Sequence, residues 1–251
     1  MARTIVVFLG LIGWAGTAAA DSITIVSDQR AVNVLAQVND SGQTNSQGPG
    51  DALSATAAAS AGTSVANSVA RLTSSLADPA HLTGSGGALA SFSTFGTAAA
   101  SAAAVFAVDF VVDAPYIYSL NGAFNISDFP GRPSNGTFNE GRWVASLSSG
   151  DSFLFNLGDT HQALLSNFTG NLPVGTYHFL VETTGAGSSE RPATVVEDTQ
   201  FQFAFDLTPA PDSNPSPTPE PTSVLLVGAG VAGFVTASKT KRAQNAVHRI
   251  G

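Results

Sequence analysis

The chain contains no cysteine among its 251 residues, which excludes both a disulfide framework and a thiolate metal site. It is also poor in charge: Asp, Glu, Lys and Arg together make up 11%, against about 25% in an ordinary globular domain. Lysine is absent before Lys239, and no acidic residue follows Glu220. All 18 acidic residues fall between Asp21 and Glu220, where five arginines oppose them (Arg30, Arg71, Arg132, Arg142 and Arg191). Five minus 18 leaves that segment at −13. An acidic, lysine-free body repels phosphate backbones, which argues against nucleic acid as a partner and leaves cations and neutral sugars compatible.

Catalytic signatures are missing as well. The chain has no H-E-x-x-H, P-loop or G-x-S-x-G pattern. His81, His161 and His178 are far apart in sequence and show no ligand spacing.

What the chain does have is two unusual ends. Residues 1–20 read MARTIVVFLGLIGWAGTAAA: Arg3 gives a positive start, Ile5 to Ala15 an apolar centre, and Ala18, Ala19 and Ala20 a small-residue cleavage site. That order predicts a secretory signal peptide removed before Asp21 by signal peptidase. Near the other end, Gly228-Ala-Gly230-Val-Ala-Gly233 matches the G-x-G-x-x-G of dinucleotide turns. A nucleotide site would need a further helix and strand, with an acidic residue about 20 positions on to hold the ribose. Only 18 residues follow Gly233, none of them acidic, so the nucleotide reading fails.

The same residues suit a membrane. Residues 222–238 form a 17-residue stretch without a charge, about 26 Å long as a helix and at the lower limit for spanning hydrocarbon. Lys239, Lys241 and Arg242 follow and would stay on the cytoplasmic side. Pro219-Glu220-Pro221 precedes the span. Together the Pro-Glu-Pro motif, the short Gly/Ala/Leu/Val span and the basic cluster resemble a PEP-CTERM sorting tail. The resemblance covers about 30 residues, 219–242 and their flanks. It implies recognition of Pro219, Glu220 and Pro221 by exosortase, a membrane enzyme of bacteria that make exopolysaccharide. It also implies cleavage near the motif and delivery to the cell surface or biofilm matrix. The basic cluster here is Lys-Thr-Lys-Arg, and residues 243–251 extend beyond it.

Between the ends, apolar residues alternate with polar ones. Phe201, Phe203, Phe205 and Leu207 share one face, as do Tyr177, Phe179 and Val181, and Phe106, Val108, Phe110 and Val112. Gly- and Pro-rich turn signals separate these runs. The pattern predicts an all-β domain over 21–208, a β-sandwich of jelly-roll type, followed by a Pro/Ser-rich linker at 209–218. Residues 52–104, rich in Ala, Ser and Thr, read as strands of small side chains. Helix competes for 65–76, where Val65, Val69, Leu72 and Leu76 recur at three- and four-residue steps.

Few residues of the body suggest chemistry. Trp143, with Tyr116 and Tyr118 as companions, is the candidate carbohydrate contact, although a lone tryptophan in an alternating strand is more often core. Asp151, Asn156 and Asp159 are close in sequence and are the candidate calcium ligands, set against an ordinary turn. Asp109 and Asp113 are the carboxylate pair to weigh for glycoside hydrolysis, but strand rise separates them by roughly 13 Å. The expectation is an exported, exosortase-processed protein without catalysis or cofactor, associated with the matrix. A lectin-like module with calcium as its candidate cofactor is the alternative, and a secreted hydrolase is the third reading.

Overall fold

Alternation with a period of two puts one face of every strand in water and the other in a core. The computed structural model describes residues 22–128, 137–159 and 161–211, and most of its strands follow that pattern. In chain order the strands are β1 (Ile23–Asp28), β2 (Ala31–Val38), β3 (Ser41–Gln47), β4 (Ala52–Ala61), β5 (Ser64–Ser75), β6 (His81–Thr94) and β7 (Ala98–Val112). They continue as β8 (Tyr116–Asp128), β9 (Thr137–Ser149), β10 (Ser152–Asp159), β11 (Ala163–Leu172), β12 (Gly175–Ser189) and β13 (Ala193–Pro209). No helix occurs among the described residues. The expected signal peptide, and the residues from 212 onward with the expected sorting motif and membrane span, lie outside the described residues.

The strands form two antiparallel sheets facing one another. One has the order β10-β9-β12-β7-β2-β3, with β1 also paired to β7; the other runs β11-β8-β13-β6-β5-β4. Strands β1 and β2 lie in line along β7, which pairs first with one and then with the other. At the break between them Arg30 turns inward and is only 5% exposed.

The buried face is uneven. Phe106, Phe110, Phe179, Phe203 and Phe205 interlock by edge contacts and by stacking, such as Phe179 on Phe205 at 4.3 Å between centroids. Another part of the interior is rich in alanine: Ala98, Ala100, Ala102 and Ala104 of β7 are buried with Ala66 and Ala70 of β5. Small side chains let the two sheets approach, so the Ser68 hydroxyl of β5 donates directly to the Leu35 carbonyl of β2 at 2.5 Å. The helical competitor over 65–76 is corrected here. Val65 and Val69 point outward from β5 while Leu72 points inward, as strand parity requires and a helical stripe would not.

Arg30 fastens the sheets at one margin. Its Nε and Nη2 donate to the two carboxylate oxygens of Asp28 at 2.8 and 2.6 Å, and Nη1 donates to Asp51 at 2.8 Å and to Ser74 at 2.9 Å. Asp28 belongs to the first sheet and Ser74 to the second, so one guanidinium ties both. The Arg30 hydrogen bonds hold the Asp28 carboxyl below the usual carboxylate range against the opposing effect of burial.

The two ends of the domain meet. Ser22 donates to Asp113 through its hydroxyl and its backbone N–H, both at 2.6 Å. Two residues further on, the Pro115 carbonyl accepts from the Ala210 N–H at 2.9 Å. The segment joining β7 to β8 therefore holds both the entry and the exit of the folded domain.

Candidate functional site

Trp143 is a core residue. It sits on β9 at 4% exposure, stacks on Phe124 at 4.2 Å between centroids, and donates its indole N–H to the His161 carbonyl at 2.8 Å. Tyr116 and Tyr118 are buried too. None of the three presents a ring face to solvent, which corrects the expectation of a sugar platform built on Trp143. Burial also pushes the Tyr118 and Tyr177 phenols up.

Strand β10 keeps the candidate calcium ligands apart. Asp151 lies in the turn before it, Asn156 within it and Asp159 at its far end. Eight strand steps separate the two aspartates, about 25 Å. They cannot share an ion, and Asp159 instead faces His161 at 3.0 Å. Among the described residues no group of three or more His, Asp or Glu side chains is arranged for a metal.

Asp109 and Asp113 do not converge either. Asp113 is held by Ser22, whose hydroxyl first and backbone N–H second keep its carboxyl below the usual range. Asp109 lies beside its register partner His178, with Asp109 Oδ1 at 2.7 Å from His178 Nδ1 and Asp109 Oδ2 accepting from Gln29 at 3.1 Å. On the other side of His178, Ser148 is its register partner on β9. Asp, His and Ser thus run in a row across β7, β12 and β9, the residue types of an acyl-transfer triad. The row lacks the rest of that chemistry. Ser148 makes no hydrogen bond to His178, and it is paired on both sides, with Phe153 and with His178. Backbone donors committed to a sheet ladder cannot supply an oxyanion hole.

A concavity lies on the outer face of the second sheet. A groove of about 1110 Å³ crosses β5, β6, β13 and β8, bounded on one side by the start of β11. Register explains its floor. Arg71, Gly87, Gln200 and Asn125 stand side by side in one row, and Thr73, Ser85, Gln202 and Ala123 in the next. Gly87 leaves the middle of the first row bare; a Cβ there would come within 3.0 Å of the Thr199 carbonyl and 3.4 Å of Gln200 Cγ. On the inner face its neighbour Gly86 makes room for the Phe201 ring, 2.8 Å from where a Cβ would stand. Leu164 of β11, 79% exposed, stands on the rim, with Val69 and Leu89 at the opposite corner.

The groove mixes polar and apolar side chains and is almost neutral. Asp198 accepts from the Gln200 amide at 3.0 Å and fixes that side chain. The side chains of Arg71, Asn125 and Gln202 make no hydrogen bond or ion pair with any described residue. These groove residues were missed in the sequence. The signal present was the polar face Gln200–Gln202 beside the unusual Gly86-Gly87 pair, but their juxtaposition depends on strand order.

No protein-family model matches the sequence, and no curated protein matches it.

Proposed function

We propose that this protein is an exported, non-catalytic surface or extracellular-matrix protein: a jelly-roll-type sandwich delivered by its signal peptide and its PEP-CTERM-like tail. The observation that carries the reading is the fastening of both ends to one segment, Ser22 to Asp113 and Ala210 to Pro115. Leader and tail then join the domain at one end. In sequence, Pro219, Glu220 and Pro221 follow the last strand after the nine residues 210–218, so recognition of the motif need not disturb a β-ladder. The jelly-roll type is supported by the chain's repeated passage between sheets, as from β6 through β7, β8 and β9.

The test is Glu220→Ala in the full chain, expressed in the producing bacterium. Full-length protein should accumulate in the membrane fraction. If the variant is trimmed and released like the parent, the sorting reading is wrong.

The groove favours a second, compatible reading, in which the domain is a binding module. Ligand sites are concave and partly apolar, with a few convergent polar groups, and the groove has that character.

A further inference from the structure

We propose that the groove on the outer face of the second sheet binds a neutral glycan chain through Arg71, Asn125, Gln200 and Gln202. The inference rests on the binding-module reading and deepens it; it does not depend on the sorting tail.

The backbone narrows the ligand first. Strands β6 and β13 lie inside the sheet, with their N–H and C=O groups spent on neighbours at both edges, and β8 is paired on both sides as far as Phe124. A peptide adding itself as a strand would find no free edge along the β6 and β13 floor of the groove. Only side chains can grip the ligand, and these are carboxamides, hydroxyls and one guanidinium. A carboxamide offers two donors and an acceptor at one planar end, which suits a partner that is donor and acceptor at every position. Carbohydrate hydroxyls are such groups.

Charge narrows it further. Arg71 is the groove's one cation and Asp198 its one anion, within a segment that carries −13 overall. A polyanion would gain one contact and meet long-range repulsion everywhere else. Nucleic acid and polyuronate are therefore poor fits, and a neutral chain is the better one.

Shape agrees. Four strands at the usual spacing span about 14 Å, the footprint of a short run of sugars rather than a single ring. The bare strip at Gly87 gives depth, while Val69, Leu89 and Leu164 supply apolar surface for the C–H faces of the rings. Asp198 holds the Gln200 amide before any ligand arrives, which lowers the entropy cost of binding.

The experiment is titration calorimetry of the full-length chain in a detergent without a sugar headgroup. The probes are cellohexaose, laminarihexaose and mannohexaose, with oligogalacturonate as the charged comparison. At least one neutral hexasaccharide should bind with Kd below about 1 mM. Asn125→Ala and Gln200→Ala should each weaken it severalfold, and the double variant at least about tenfold. Thr184→Ala, on the other sheet, should leave it unchanged. Both groove positions are exposed, so folding is not at stake, and circular dichroism of each variant checks this. The proposal is overturned if none of the neutral probes binds, if the double variant binds as well as the parent, or if oligogalacturonate binds more tightly than every neutral probe. Binding by the Glu220→Ala chain separates the two claims: the groove should work in that variant whatever happens to its processing.

Discussion

Gln47 of β3 accepts a hydrogen bond from the backbone N–H of Ser54 on β4 at 2.8 Å, although the two strands belong to different sheets. The contact is one of three. Gln43 accepts from the Ala58 N–H at 3.3 Å, and the Asn45 amide donates to the Thr56 carbonyl at 3.4 Å. Strand β4 is the margin of its sheet, and Ser54, Thr56 and Ala58 are the alternate residues whose backbone groups point away from β5. Side-chain amides from β3 thus occupy an edge that would otherwise recruit another chain.

Removing that cover should show in solution. In the double variant Gln43→Val, Gln47→Val, two N–H groups of β4 lose their acceptors and β3 becomes more apolar. Static light scattering should report concentration-dependent association under conditions where the parent is monodisperse. If the variant scatters like the parent at every concentration, the amides do not protect the edge.

Arg30 should be hard to replace. Arg30→Met leaves Asp28 without its bidentate partner and Ser74 without a donor, so urea unfolding should register a loss of about 3 kcal/mol. Arg30→Lys should restore little, since an ammonium cannot reach Asp28, Asp51 and Ser74 with one planar fork. A lysine variant as stable as the parent would contradict the geometric account.

The same pair sets an acid limit. The folded-state pKa of Asp28 is depressed, so its contribution is complete above the ordinary carboxylate range and is lost as pH falls through the lowered value. The stability gap between the parent and Asp28→Asn should therefore be constant near neutrality and shrink below about pH 4. Equal gaps at neutral pH and well below that point would remove Asp28 from the acid response.

Trp143 should behave as packing. Trp143→Phe keeps an aromatic against Phe124 but loses the indole hydrogen bond to His161, at a cost of about 1 kcal/mol. Trp143→Ala empties a buried site and should cost about 3–5 kcal/mol. The measurement is the denaturant midpoint at constant slope, and a neutral alanine variant would mean the ring is not packed as described.

How much of this could be read in advance varied along the chain. The phenylalanine strands were legible because large apolar and polar residues alternate, so parity alone separates Phe201, Phe203 and Phe205 from Gln200 and Gln202. The 52–104 segment was ambiguous because its inner residues are mostly alanine and serine, which contrast little with the outer ones. Their smallness reflects how closely the sheets approach at Ser68 and Leu35, a tertiary fact. The groove was illegible for a different reason. Arg71, Gly87, Asn125 and Gln200 are spread over 130 residues and meet only through strand order and register. Asp151 and Asp159 misled in the opposite sense: proximity in sequence becomes distance once the intervening residues are extended.

Strand β13 has a mechanical consequence. It bears Gln200 and Gln202, is flanked by both β6 and β8 over residues 197–206, and is the strand from which the chain departs at Ala210. A pull on the chain beyond Ala210 loads β13 along its own axis. The ladders on both sides then resist together in shear instead of unzipping one pair at a time. Whatever the two glutamines grip and whatever the tail is tied to are joined by a single strand, stressed in its strongest direction.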